Sequence, residues 1–206
     1  MRKTKEDAQK TRDDILQAAV KIFSEKGFFN STLDDIAQSA GVTRGAVYWH
    51  FKNKAEIFDA LHAALHEPFI ESILADLETD SAHPIVQLQE LIIHLLRQFA
   101  DQPGKQNTTR LFINCDYSGV LAPFKEPHKA SKRESLALFE AYFKRAQKKG
   151  DLSEEADAEI LTLTLHCFIK GLLTEYLNGD IIDLKTHARP LIAQLFQGLH
   201  TMNAVT

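Results

Sequence analysis

Residues 32–54, TLDDIAQSAGVTRGAVYWHFKNK, constrain the fold more than any other stretch, because nearly every position has a reason if two short helices cross at a tight turn. Thr32 fits an N-cap, its hydroxyl accepting a free backbone N–H, and Asp35 three residues on completes the reciprocal half of a capping box. Ile36 and Ala37 then face inward, Ala37 being small where the helices approach each other. Gly41 falls where the chain must reverse, a position that favours φ > 0 and no Cβ, and Val42 tucks under the turn. Thr43 caps a second helix whose Val47 and Phe51, spaced i and i+4, point to the core. Arg44, Gly45, Ala46, Tyr48, Trp49 and His50 are left with the outer and leading faces. The pattern predicts a helix-turn-helix.

Those outer residues suit DNA. An arginine fork matches two acceptors on a guanine edge, an alanine or threonine methyl meets a thymine methyl, and glycine admits close backbone approach. Tyrosine, histidine and lysine suit phosphates. A helical hairpin serving only as core accounts for Ile36, Ala37, Val42, Val47 and Phe51, but not for an outward Tyr-Trp-His run.

The run GVTRGAVYWHFKNKAEIF, with the preceding STLDDIA, closely resembles the N-terminal signature of the TetR family of transcriptional repressors over about residues 10–58. The opening RKTKEDAQKTRDDILQAA and the motif VTRGAVYWHF are most similar to the AcrR-like branch, which controls multidrug efflux pumps. Beyond these motifs the similarity is one of helix pattern and length. The resemblance implies a palindromic operator read by Arg44, Gly45, Ala46 and Trp49, phosphates held by Thr32, Tyr48, His50 and Lys54, and Thr43 in the same DNA-contacting set.

A net charge of −4 is at odds with DNA binding until it is divided. Residues 1–54 carry ten Lys/Arg against seven Asp/Glu, a balance of +3, and the remainder stands at −7. A basic reader joined to an acidic body is implied. The composition, 44% hydrophobic and 25% charged, is that of a soluble globular protein. Cys115 and Cys167 are too few for a disulfide framework, which fits a reducing cytoplasm. The charged opening MRKTKEDAQK is unlike a signal peptide, and no apolar run is expected to reach the length of a membrane span.

Taken in order, Arg2, Lys3 and Lys5 form a basic arm, and residues 7–26 an amphipathic helix on Ile15, Ala19, Ile22 and Phe23. Residues 55–78 read as one long helix with a kink expected at Pro68. Further helices are expected from Pro84, over 107–117, over 128–149, over 158–177 with Ser153 as its cap, and over 186–202. SGVLAPFKEPH reads as the longest irregular stretch. With no strand-period segment, the expected fold is all-α with about nine helices: a helix-turn-helix domain at 1–54 and a ligand-binding, dimerising body at 55–206.

The helix at 158–177 is apolar on more than one face, which together with the family resemblance predicts a homodimer through the last two helices. A pocket for a hydrophobic or amphipathic small molecule is expected in the body, with Phe99, Phe112, Phe139, Phe143 and Phe168 as wall and Asn114, Cys115, Asp116 and His166 as polar lining. His62 and His66 are an i, i+4 pair without a third metal ligand at recognisable spacing, and His94, Cys115, His166 and Cys167 form no nucleophile-base-orienter pattern. No metal, cofactor or catalytic site is expected. The leading reading is a ligand-responsive repressor of an efflux operon; an activator or architectural protein with a purely structural body is the alternative.

Overall fold

A computed structural model describes residues 5–113, 115–179 and 181–202, with side chains placed through Gly198. The basic arm at Arg2 and Lys3, and the pocket candidate Asn114, lie outside the described residues. Among the described residues there are nine α-helices and no strand: α1 Lys5–Lys26, α2 Leu33–Ala40, α3 Arg44–His50, α4 Lys54–Leu77, α5 Pro84–Ala100, α6 Pro103–Ile113, α7 Lys125–Lys149, α8 Ala158–Asn178 and α9 Leu184–Met202. A 3₁₀ turn, Gly119–Phe124, occupies the expected irregular stretch.

Several helix starts differ from expectation for identifiable reasons. Pro103 opens α6 four residues before Asn107, proline being well suited to a first turn whose N–H groups have no partner. Lys125 opens α7 directly from the 3₁₀ turn, so Pro127 falls in its first turn. Asp157, not Ser153, caps α8, accepting from the backbone N–H groups of Glu159 at 2.9 Å and Ile160 at 3.1 Å. Ser153 instead accepts from Glu155 N–H in the preceding turn.

The chain packs as two compact units, Met1–Glu67 with Gly104–His128, and Pro68–Pro103 with Lys129–Thr206. The first unit is thus larger than the helix-turn-helix alone: the opening turns of α4, α6 and the 3₁₀ turn join it. Its core comprises Ile15, Ala19, Ile22 and Phe23 of α1, Ile36 of α2, Val47 of α3, Ile57 and Phe58 of α4, and Leu121. In the second unit α5 packs on α9, with Leu88, Ile92, Phe143, Leu165, Ile192 and Phe196 in the core. There Tyr142 is fully buried and donates its hydroxyl to Asp76 at 2.7 Å, while Arg145 donates to the carbonyls of Leu77 and Thr79 at the end of α4.

α8 corrects one expectation. Its 21 residues are long and apolar enough, by length and composition, to cross a membrane. Leu165, Leu172 and Leu177 go into the core, but Ile160 and Leu163 stay exposed, followed along the same face by Thr164, Cys167 and Gly171.

In the first unit a polar chain ties α4 to the segment before α7. The Asp59 carboxylate, which can only accept, lies 3.0 Å from His128 Nε2, so Nδ1 accepts the Tyr117 hydroxyl at 2.8 Å. His62 stacks on His128 with ring centroids 3.6 Å apart, and on His66 at 5.8 Å. The i, i+4 pair is therefore part of an aromatic pile that includes Phe112 and Phe58. Burial, with His128 and His66 adding to it and Asp59 opposing, pulls the His62 imidazole down to about 4. Burial also lowers His128, again against Asp59. Both rings are harder to protonate folded than unfolded, where histidine titrates near about 6.5. Their penalty is absent above that pH and grows as pH falls toward 4, because the unfolded chain then binds more protons. His62→Phe, which keeps a flat ring in the pile, should flatten the fall in melting temperature between about pH 6.5 and 4.5; circular-dichroism melts at constant salt measure it, and an unchanged slope would clear His62 of this role.

Candidate nucleic-acid interface

The turn is built as its residues dictate. Thr32 Oγ1 accepts from Asp35 N–H at 3.0 Å and the Asp35 carboxylate accepts from Thr32 N–H at 2.9 Å, completing the capping box of α2. Lys26 donates to the same carboxylate at 2.6 Å; that bond, and those from Thr32, hold Asp35 down to about 2. Gly41 takes φ 65 and Val42 N–H reaches back to Ala37 O, closing α2 in a left-handed cap that residues with a Cβ rarely adopt. Thr43 Oγ1 accepts from Ala46 N–H at 3.1 Å to start α3. Val47 is fully buried and Phe51 nearly so, which seats α3 by its inner side.

The outer side of α3 is open. Trp49 is 73% exposed, its ring edge-on to His50 at 4.5 Å, and Tyr48 is 45% exposed. Gly45 is informative because nothing inside the protein requires it: a Cβ there would come no closer than 3.9 Å, to Thr43 Oγ1. A helical glycine costs about 0.5–1 kcal/mol relative to alanine, and no described neighbour crowds the position enough to account for it. Arg44 is forked between two acceptors, Nη1 to Asp34 Oδ2 at 3.1 Å and Nη2 to the Tyr48 hydroxyl at 3.2 Å, with its guanidinium 5.4 Å from the Tyr48 ring centroid. These groups border an open groove of about 850 Å³ that also touches Thr32, Lys52 and Phe124.

Two residues expected to hold phosphates are engaged within the protein. The Thr32 hydroxyl, besides capping, donates to Asp35 at 2.8 Å. Lys54 is engaged more fully: its ammonium donates to the carbonyls of Phe28 at 2.6 Å, Phe29 at 3.2 Å and Ser31 at 2.5 Å. An ammonium has three N–H groups, and all three are committed to the turn between α1 and α2. Burial lowers the Lys54 pKa, with the Asp35 carboxylate opposing.

The small-molecule candidates divide between the two units. Phe112 packs against Phe58 at 4.6 Å in the first unit, where Cys115 is half-buried with its thiol pushed up by burial and Asp116 is exposed and accepts from Ser118. Phe139 and Phe143 are buried in the core of the second unit, with Phe99 and Phe168 packed against that core and His166 half-buried nearby in sequence. Phe143 has no exposed surface. Asp34, tied to Arg44, was missed because an acid in a first helical turn reads as a helix-dipole residue.

Lys54→Ala should lower the stability of the first unit by about 1–2 kcal/mol, three carbonyls losing their donor, and leave the salt dependence of DNA binding as it was. Denaturant melts and a salt series of DNA titrations read the two effects, and a shallower slope with unchanged stability would return Lys54 to the phosphates.

Residues 15–61 match the family described as bacterial regulatory proteins, tetR family, and residues 83–201 the C-terminal region of MAATS-type transcriptional repressors. The transcriptional repressor BepR of Brucella suis is 37% identical over 202 residues, 97% of this chain and 96% of its own. Among solved structures, a SmeT–triclosan complex is 31% identical with a TM-score of 0.82, covering 92% of this chain and 91% of that one. NalD of Pseudomonas aeruginosa, a secondary repressor of the MexAB-OprM multidrug efflux pump, is 32% identical with a TM-score of 0.79, over 95% and 98%. A capped, core-seated recognition helix at the N-terminus, a helical body behind it and this likeness along nearly the whole chain lead to one conclusion: the protein belongs to the TetR family of transcriptional regulators.

Proposed function

We propose that the chain is a ligand-responsive repressor of a multidrug efflux operon, released from a palindromic operator by hydrophobic or amphipathic small molecules. The observation that carries the DNA-binding half is α3, locked by Val47 on one side and presenting Arg44, Gly45, Ala46, Tyr48, Trp49 and His50 on the other. Arg44 reads a guanine edge, Gly45 lets the backbone come close, Ala46 and Trp49 meet base or sugar surfaces, and Tyr48, His50 and Thr43 steady the phosphates. The ligand half is supported by relatives: SmeT is described as the repressor of the Stenotrophomonas maltophilia pump SmeDEF, and has been solved with triclosan. The partly buried Phe99 and Phe168 and the half-buried His166 are the residues of this body best placed to line an effector site. Such a regulator works in the cytoplasm, where its operator is.

Arg44→Ala should cost about 1–3 kcal/mol on the operator and little on random DNA. Fluorescence anisotropy on both duplexes measures this, and equal losses would remove the base-reading role. Adding hydrophobic drugs to the operator complex tests release. Linkage requires each active compound to bind free protein more tightly than operator-bound protein by the factor it weakens the operator. No binding across a broad panel would leave a DNA-binding protein with a structural body.

The exposed apolar face of α8, with Ile160 at 57% and Leu163 at 41% exposure, supports a homodimer in which α8 and α9 pack on their symmetry mates. A twofold protein matches a palindrome in geometry. Light scattering at micromolar concentration should give twice the 23.2 kDa chain mass, and Leu163→Arg should halve it; a monomeric wild-type protein would end this reading.

A further inference from the structure

The contact between Asp34 and Arg44 has no evident structural task. α2 is already capped by Thr32 and Asp35, so its N-terminus does not need the second acid. The pair is open to water, with side-chain exposures of 62% and 60%, where an ion pair adds little to stability. Yet Asp34 is a negative charge on the face that must meet a polyanion, next to the arginine assigned above to base reading. Its carboxylate takes one Arg44 nitrogen and the Tyr48 hydroxyl takes the other, while the guanidinium lies over the Tyr48 ring. Both arms of the fork are therefore occupied before DNA arrives, and the plane of the group is set by contacts from two helices.

We propose that Asp34 is a specificity-determining residue: by occupying and orienting the Arg44 guanidinium, it suppresses the arginine's binding to arbitrary phosphates and leaves its binding to a guanine edge intact. The reasoning is one of exchange. Guanine offers two acceptors, O6 and N7, in the geometry of the fork, so a correct base pair replaces both contacts that Arg44 gives up. On random DNA a single phosphate oxygen replaces them incompletely. Discrimination gained by penalising wrong partners costs affinity in general and little on the right site.

This inference rests on the base-reading role of Arg44, and a double-mutant cycle separates the two. Asp34→Asn should raise affinity for random DNA about two- to fivefold, the range an exposed ion pair can supply, and steepen its salt slope by about one phosphate contact. Operator affinity should stay within about twofold of wild type, so the operator-to-random ratio falls. Asp34→Glu, which keeps the charge within reach of Arg44, should restore most of that ratio. In an Arg44→Ala background, Asp34→Asn should change nothing on random DNA. Fluorescence anisotropy over a salt series provides all of these, with thermal melts confirming that each variant is folded. An Asp34→Asn effect that persists without Arg44 would make Asp34 a bare repulsive charge and overturn the proposal, as would a proportionate gain on both DNAs or no gain on random DNA. Loss of base reading itself would show differently, as Arg44→Ala weakening both duplexes alike with Asp34 intact.

Discussion

The first unit depends on one half-buried cation. Lys54, the first residue of α4, places its ammonium among the carbonyls of Phe28, Phe29 and Ser31 and 4.8 Å from the centroid of the Phe28 ring. Around it Phe28 packs against Phe23, Phe29 and Phe58 at centroid distances of 5.3–5.4 Å. The turn that ends α1 and begins α2 exposes backbone acceptors that a chain with an alanine at position 54 would have to leave to water. With the ammonium in place, α1, the helix-turn-helix and α4 share a single fixed junction, and the outer face of α3 inherits its position from it.

A recognition helix of seven residues cannot hold itself together, since isolated helices that short are unstable in water. α3 is helical because Thr43 caps it, Phe51 N–H closes its last turn on Val47 O, and Val47 is sunk in the core. Each of these uses a backbone group or an inner side chain. None of these contacts uses an outer side chain of α3.

The helix-turn-helix was legible residue by residue because caps and tight turns are local chemistry: Thr32, Asp35, Gly41 and Thr43 act on groups within a few positions of themselves. What could not be read locally were partners brought together by packing. Lys54 reads as a phosphate ligand until its carbonyls appear 23 to 26 positions away. His62 and His66 read as an isolated i, i+4 pair until His128 stacks on His62. Phe112 and Cys115, expected to line an effector site, pack against the core of the first unit, a fact of tertiary structure that helical spacing does not encode. The cap of α8 was misplaced for a subtler reason: Ser153 and Asp157 are both competent N-caps, and the choice falls to the acid nearer the first apolar turn.

Pro68 stands inside α4 at the residue where the two compact units part. It has no N–H to give the carbonyl one turn before it, and its own carbonyl accepts a second bond from the Ser72 hydroxyl at 2.8 Å, which loosens a helical ladder further. A helix continuous in its residue span is thereby expected to be discontinuous in cooperativity. Amides of α4 before Pro68 open with one set of neighbours and those after it with another, so amide hydrogen exchange would resolve α4 into two stretches of different protection with the proline as their border.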